Sequence, residues 1–570
     1  MNPCVVFCPG PRPASRSRLK LAALFAAGSL ALSAPAAQFY NDWAATHISN
    51  PSSRGSLADP DQDGEVNAVE FVFGTDPVVA NSGSLLTPLS GPSSGTNGEF
   101  TVSVLEREGH QPGAQLDLYL SSDLRQWFRP WWLRAVTNSW AGDPAGSVRE
   151  VFTTRLPGTN IWFVRAAVTV FEPGPEAAAY YVATNGSDSN AGTSIAAPFA
   201  TPAKAIGLAV PGDLIYLRGG IYSCTNKISI SSRGGTPSQP IRVRSYPGEQ
   251  PVLDFTWQAA GNDGISISTN CWQFYGIEIT NAGHNALKVT GSSNRFERCV
   301  FHHCRDSGFN IGSSSATVLA SYNVVVNCDA YRNYDTGAHG GNADGFAAKW
   351  MVGPGTVFTG CRSWENSDDG WDLWMAVSPI LITNCWTFRN GSNYFGDSAF
   401  AGNGNGFKLG GNYIPAAHRI VHCLSFNNVG TGTGGGKGFD QNNNTAGLTV
   451  DQCSGWKNRM YNFNLWTATV TQGVTVLRNN YSVDGAVWYT NSSVQLGNSW
   501  LVLGSTSTGD VLSSDVNFAQ AARRDDGGLP ETPFFRPVPG GQLVDRGSDY
   551  GDPYSGGAPD IGAFETPAWF

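Results

Sequence analysis

Four aspartates and one lysine define the chemistry open to this chain. They lie in Asn342-Ala343-Asp344-Gly345-Phe346, Asp368-Asp369-Gly370-Trp371-Asp372 and Asn405-Gly406-Phe407-Lys408. Each segment carries a Gly, an aromatic and a variable residue. The unit recurs as Gly308-Phe309-Asn310 and Gly438-Phe439-Asp440, with a Gly-less echo in Asn462-Phe463-Asn464. If these units stack as neighbouring strands of a parallel sheet, equivalent positions fall about 4.8 Å apart. Asp344 and Asp369 then become lateral neighbours, Asp368 and Asp372 flank them, and Lys408 follows Asp372 one coil further along the same outward row. Four carboxylates on two adjoining coils repel unless a cation holds them, and an all-oxygen acidic donor set suits Ca2+. Taken singly, each Asp-Gly pair is an ordinary turn and the lysine a solvated surface group. Their shared register is what points to a site.

A second repeat supplies the elements that hold those rows. A Cys is followed by a small residue two on, an aromatic three on and an Asn five on. It runs Cys328/Ala330/Tyr331/Asn333, Cys361/Ser363/Trp364/Asn366, Cys385/Thr387/Phe388/Asn390, Cys423/Ser425/Phe426/Asn428 and Cys453/Gly455/Trp456/Asn458. A repeat whose units cannot bury their own faces implies a solenoid whose core is supplied by neighbouring coils. Cys and the small residue should face inward, and the Asn column should form a left-handed turn with side-chain amides bonded one to the next. The expected fold is all-β: a right-handed parallel β-helix over residues 177–567. Pro198 to Ala209 is expected to cap its start as a short helix, and residues 543–547 and 560–565 to close it.

Charged residues make up only 14% of the 570, and the formal net charge is −9. That balance argues against nucleic acid as a generic partner. It also requires local cations for any polyanionic substrate. The nine Cys from 224 onward show no CxxC spacing and an odd count, which favours buried thiols over a disulfide framework or a zinc site. Residues 1–36 read as a secretory signal, with a basic run at Arg16–Lys20, an apolar stretch from Leu21 to Leu32 and a small-residue cleavage site at Ala34-Pro35-Ala36. A secreted monomer with no membrane partner is expected.

Residues 38–80 hold a twelve-residue loop with EF-hand spacing, as in dockerin-like half-sites. It offers Asp59, Asp61, Asp63, Glu65, Asn67 and Glu70 around Gly64. Pro60 is atypical for such a loop, and the expected role is a structural Ca2+ site. Residues 81–175 alternate as short strands, an accessory β-rich module. Its aromatics Trp127, Phe128, Trp131 and Trp132 fit a core or a seam better than a sugar-stacking face.

A secreted β-helix with an acid cluster and an adjacent lysine suits an acidic polysaccharide in an open groove. Uronate chains break by β-elimination when a base removes the C5 proton and the 4-O-glycosidic bond leaves. A bound Ca2+ would offset the substrate carboxylate as charge develops. Lysine starts near a pKa of ~10.4, so an alkaline optimum is expected. A hydrolase would need a proton-donating acid opposite a second carboxylate instead.

Residues 180–567 resemble polysaccharide lyase family 9, the β-helical pectate lyases, through the motifs NADGF, ENSDDGWDLW and GNGFKLGG and the Asn ladder between them. The resemblance implies that Asp344, Asp368, Asp369 and Asp372 bind the catalytic Ca2+, that Lys408 is the base, and that the substrate is α-1,4-polygalacturonate. Lys349, Arg389, Lys437 and Arg459 are candidate partners for uronate carboxylates. The alternatives are a lyase or C5-epimerase on another uronate chain such as alginate, and a non-catalytic β-helical glycan-binding protein.

Overall fold

The structure is a computed structural model. It describes residues 175–566 except 314–316, 318, 432–433, 552–553 and 555. Before them it describes 4–7, 40–55, 58–62, 67–73, 77–78, 86–90, 98–107, 114–121, 134–138, 147–156 and 163–170. The chain divides into two units, Met1–Glu176 and Ala177–Phe570.

In the larger unit, strands of two to five residues recur around three faces of a solenoid and form parallel sheets of ten, ten and twelve strands. The first sheet runs from Gly220–Ser223 to Tyr481–Val483 and carries the Cys repeat. The second runs from Ile228–Ile230 to Ala486–Tyr489 and carries the Gly-aromatic repeat. The third runs from Tyr180–Val182 to Val494–Leu496. This is the expected parallel β-helix. Pro202–Leu208 forms the start helix, N-capped by Thr201, and its Ala205 and Ile206 join the core.

The core follows the repeat. The Cys299, Cys328, Cys361, Cys385, Cys423 and Cys453 thiols are buried and free, and the small residues two positions after the last five, Ala330, Ser363, Thr387, Ser425 and Gly455, are buried too. Beneath the second sheet, Phe346, Trp371, Phe407, Phe439 and Phe463 stack with ring centroids 4.8–5.0 Å apart. Such spacing is favourable for offset aromatic packing. The Asn ladder is present: each amide of Asn333, Asn366, Asn390 and Asn428 donates to the carbonyl oxygen of the next, at 2.8–3.0 Å, through to Asn458.

One detail of the turn differs from the expectation. The left-handed residue is the one before each Asn, namely Arg332, Glu365, Arg389, Asn427 and Lys457, with φ between 50° and 56°. The Asn side chain must point into the stack to bond its neighbours, so the residue that absorbs the chain reversal sits one place earlier.

The C-terminal stretch returns over the solenoid as a cover. Residues 543–547 and 560–565 form no strand of the solenoid. Leu543 and Ile561, with Val511, Ala519, Phe534 and Phe535, pack over the outward aromatics of the first sheet, Trp386, Phe388, Phe426 and Trp456. Those rings are too apolar to face water, and the returning segment covers them.

The smaller unit has a four-stranded antiparallel sheet, Leu86–Ser90, Gly98–Arg107, Ser147–Leu156 and Arg134–Asn138. A three-stranded one joins Cys4–Phe7, Phe163–Val170 and Ala114–Ser121. Cys4–Phe7 lies within the expected leader, residues 1–36, where no strand was anticipated. Helices Tyr40–His47 and Asn67–Phe73 pack through Tyr40, Trp43 and Phe71. Trp127, Phe128, Trp131 and Trp132 lie outside the described residues.

Candidate active site

The outward row of the second sheet is fixed by strand register. Lys288, Asn310, Ala347, Asp372, Lys408, Asp440, Asn464 and Trp488 are successive partners along it. The expected adjacency of Asp372 and Lys408 is therefore present in the backbone. The turn that enters each strand presents the second row, with Asp344 and Asp369 on neighbouring coils.

The Gly after each of these aspartates is required by packing. A Cβ at Gly345 would lie 2.0 Å from Ser363 Oγ, and one at Gly370 2.0 Å from Thr387 Oγ1. Those hydroxyls belong to the small-residue column of the Cys repeat. The two repeats thus interlock, and the interlock places the acids.

All four acids are buried: Asp344 and Asp369 completely, Asp372 to 1% and Asp368 to 2% exposure. Carboxylate oxygens of Asp344, Asp368 and Asp369 lie within 4.8 Å of one another, the one such grouping among the described residues. Backbone and side-chain donors hold the other oxygens. Asn403 N–H donates to Asp368 Oδ1 at 2.7 Å. Asn405 donates to Asp369 Oδ1 from both its N–H and its amide, at 2.8 and 2.9 Å. Trp374 N–H donates to Asp372 Oδ1 at 2.9 Å, and Asp369 N–H to Asp344 Oδ1 at 3.2 Å.

Two ammonium groups enter the cluster. Lys408 Nζ is 3.0 Å from Asp369 Oδ2 and 3.2 Å from Asp372 Oδ2. Lys349 Nζ is 2.7 Å from Asp344 Oδ2 and 2.8 Å from Asp372 Oδ2. Burial pushes the carboxyl of Asp344 up to about 7, with Lys349 opposing. Burial also raises Asp368 and Asp369. Asp372 alone is lowered, because Lys349 and Lys408 outweigh its burial. Burial would lower Lys408, but Asp369 and Asp372 raise it well above the ordinary range.

Two cations against four buried acids leave the cluster short of positive charge. Asp369 Oδ2 has Lys408 as an ionic neighbour yet accepts no well-directed hydrogen bond while fully shielded from water. An all-carboxylate donor set, a charge deficit and an under-satisfied buried oxygen fit a hard divalent cation.

Of the four proposed carboxylate partners, Lys349 is placed otherwise than expected: its ammonium is inside the acid cluster, not free beside a groove. Arg389 lies in the turn of the first sheet and reaches Glu365 at 3.4 Å, away from the acids. Lys437 sits one coil beyond Asn405, which accepts its N–H, and its Nζ is 2.9 Å from Asp440. Arg459 N–H donates to Asn428 O, in the ladder turn. The positioning roles of Asn403 and Asn405 were missed, although Asn405 stands in the same pre-Gly row as Asp344 and Asp369.

Residues 180–480 match the family described as Pel9A-like, right handed beta helix region. The chain belongs to this family of pectate lyases. The family assigns the handedness of the solenoid and makes the protein a polysaccharide lyase. Pectate lyase L of Dickeya dadantii is 42% identical over 398 residues, covering 68% of this chain and 90% of that protein. Pectate lyase PEL9 of Emericella nidulans is 31% identical over 421 residues, covering 68% and 98%. The crystal structure of pectate lyase Pel9A superposes with a TM-score of 0.63 at 41% identity, covering 68% of this chain and 96% of that one.

In the smaller unit, Asn67 and Glu70 of the EF-hand-like loop are buried at the start of their helix, and Asp59 and Asp61 are partly buried. Asp63 and Glu65 lie outside the described residues.

Proposed function

We propose that the protein is a secreted, calcium-dependent pectate lyase that cleaves α-1,4-polygalacturonate by β-elimination, with Lys408 as the base. The observation that carries this reading is the position of Lys408 Nζ, within 3.2 Å of two acids of the cluster and on the next strand of the same row. One sugar ring laid over that row would touch both.

Asp344, Asp368, Asp369 and Asp372 would hold the Ca2+, which supplies positive charge against the substrate carboxylate and so acidifies the C5–H. Lys408 in its neutral form takes the C5 proton, the C5–H electron pair forms the C4=C5 bond, and the C4–O4 bond breaks, with the departing oxygen protonated from water. Asn403 and Asn405 keep the acids in place through the bonds above, and Lys349 offsets Asp344 and Asp372. The raised pKa of Lys408 means that its neutral form grows with pH, in keeping with an alkaline optimum.

Secretion is supported by the basic run, apolar stretch and small-residue site of residues 16–36, and among the described residues no helix is long and apolar enough to cross a membrane. The loop from Asp59 to Glu70 is assigned a separate, structural Ca2+ on its ligand spacing.

The test is ultraviolet absorbance of the C4–C5 double bond. Polygalacturonate with Ca2+ should develop it and a chelator should abolish it. Lys408→Ala should remain folded by circular dichroism and develop it at least about 10²-fold more slowly; absorbance at the wild-type rate in that variant would remove Lys408 as the base.

A further inference from the structure

The row that holds Asp372 and Lys408 continues past them through Asp440 and Asn464 to Trp488. Trp488 is three strands beyond Lys408, about 14 Å at the spacing of a parallel sheet. Its ring stacks on Trp466, with centroids 4.7 Å apart and planes 10° from parallel, and Tyr461 flanks it at 5.8 Å. Trp488 is 43% and Trp466 37% exposed. The outward aromatics of the first sheet are sheathed by the returning C-terminal segment, whereas this pair keeps open surface.

Between the catalytic lysine and the tryptophans the row is polar and preorganised. Asp440 accepts from Lys437 Nζ at 2.9 Å and from the Asn464 amide at 2.7 Å, and both Asp440 and Asn464 are buried. The Asn464 side-chain oxygen Oδ1, beside Trp488 on the row, has no hydrogen-bond partner. A strip of fixed polar groups ending in an exposed aromatic face is the arrangement that receives a sugar: hydroxyls meet the polar groups, and the apolar face of a pyranose lies on the indole.

We infer that Trp488 and Trp466 form a distal sugar-stacking subsite that binds a galacturonosyl unit of the same polysaccharide about three units from the scissile bond. The inference rests on the pectate lyase reading above. A pyranose in a 1,4-linked chain advances by about one coil, so a chain whose first unit lies over Lys408 arrives at Trp488 with its fourth. The ring faces carry no charge, so the contact distinguishes chain length rather than uronate from neutral sugar. It makes the enzyme favour long chains over short fragments, the behaviour of an internal cutter.

The experiment compares kcat/KM on polygalacturonate and on trigalacturonate, which is too short to span from Lys408 to Trp488, for wild type, Trp488→Ala, Trp466→Ala and Trp488→Phe. In both alanine variants the polymer-to-trimer ratio should fall about tenfold, carried by KM on the polymer, with Trp488→Phe restoring most of it. An unchanged ratio in both alanine variants, with wild-type melting temperatures, overturns the subsite; so does an equal loss on both substrates, which would mark the pair as structural. If an alanine variant misfolds, quenching of tryptophan fluorescence by octagalacturonate in folded Lys408→Ala decides instead: saturable quenching absent with the trimer supports the subsite, and no quenching refutes it. Failure of the wild type to cleave polygalacturonate would instead refute the underlying reading.

Discussion

Two buried ionic clusters in the solenoid use the same ingredients in opposite proportions. On the first sheet, Asp329 meets two arginines. Arg362 grips it through Nε at 2.9 Å and Nη2 at 2.8 Å, and Arg523 through Nη2 at 2.6 Å and Nε at 3.2 Å. The remaining guanidinium donors go to backbone carbonyls: Ala519 and Ala521 from Arg362, Cys328, Gly360 and Gly527 from Arg523. Every guanidinium nitrogen and both carboxylate oxygens are hydrogen-bonded, and the product is a clasp between the C-terminal segment and the coils. Burial pushes Asp329 up, but Arg523 and Arg362 outweigh it and hold the carboxyl at about 2. On the second sheet, four acids share two lysines, and Asp344 is pushed up to about 7. A saturated cluster suits a structural role; an under-neutralised one suits the proposed Ca2+, which would balance it.

The comparison can be broken by substitution. Lys408→Ala should lower activity by about 10²–10⁴-fold, the usual worth of a general base, with little change in melting temperature. Asp329→Ala should do the converse. It strands two buried guanidiniums and should cost about 3–5 kcal/mol of stability, read by urea unfolding, while kcat of the folded enzyme stays at the wild-type value. If Asp329→Ala abolished kcat and left stability intact, the division of roles would be wrong.

Acid titration sharpens the contrast. The folded pKa of Asp329, about 2, lies below its ordinary 3.8. Its contribution is therefore present above about 4 and is lost as pH falls through 2, on the order of 2.5 kcal/mol in total. Asp344 has the opposite sign: its folded pKa is raised, so its contribution is full below 3.8 and disappears as pH rises through about 7. In chelator, the difference in unfolding free energy between wild type and Asp344→Asn should become less favourable to wild type as pH climbs from 4 to 7. A flat difference would show that the acids are not mutually strained.

The smallest effect is expected in the ladder. Asn390→Ala removes one amide from a buried chain of hydrogen bonds and should cost about 1–3 kcal/mol, without altering the pH dependence of either cluster.

How much of this was legible in the sequence differs between the two clusters. The acid site could be read because its members lie at fixed places in a repeating unit, so that stacking the units aligned Asp344 with Asp369 and Asp372 with Lys408. The Asn ladder was legible for the same reason, though the left-handed residue proved to be the one before each Asn. The Asp329 clasp was not. Its partners come from 33 and 194 residues away, and Arg523 belongs to no repeat. Lys349 was misplaced because it follows its Gly-aromatic unit by three residues, where row position no longer dictates direction. The C-terminal stretch was legible as the closing segment of the solenoid, but that it returns as a cover for Trp386 and Phe426 was not.

The central claim is that the four-acid cluster is a divalent cation site. Isothermal titration of Ca2+ into chelator-stripped wild type and into Asp369→Asn, each verified as folded, tests it most directly. The wild type should bind one equivalent more than Asp369→Asn, while Asp329→Ala should match the wild type. Superimposable isotherms for wild type and Asp369→Asn would contradict it.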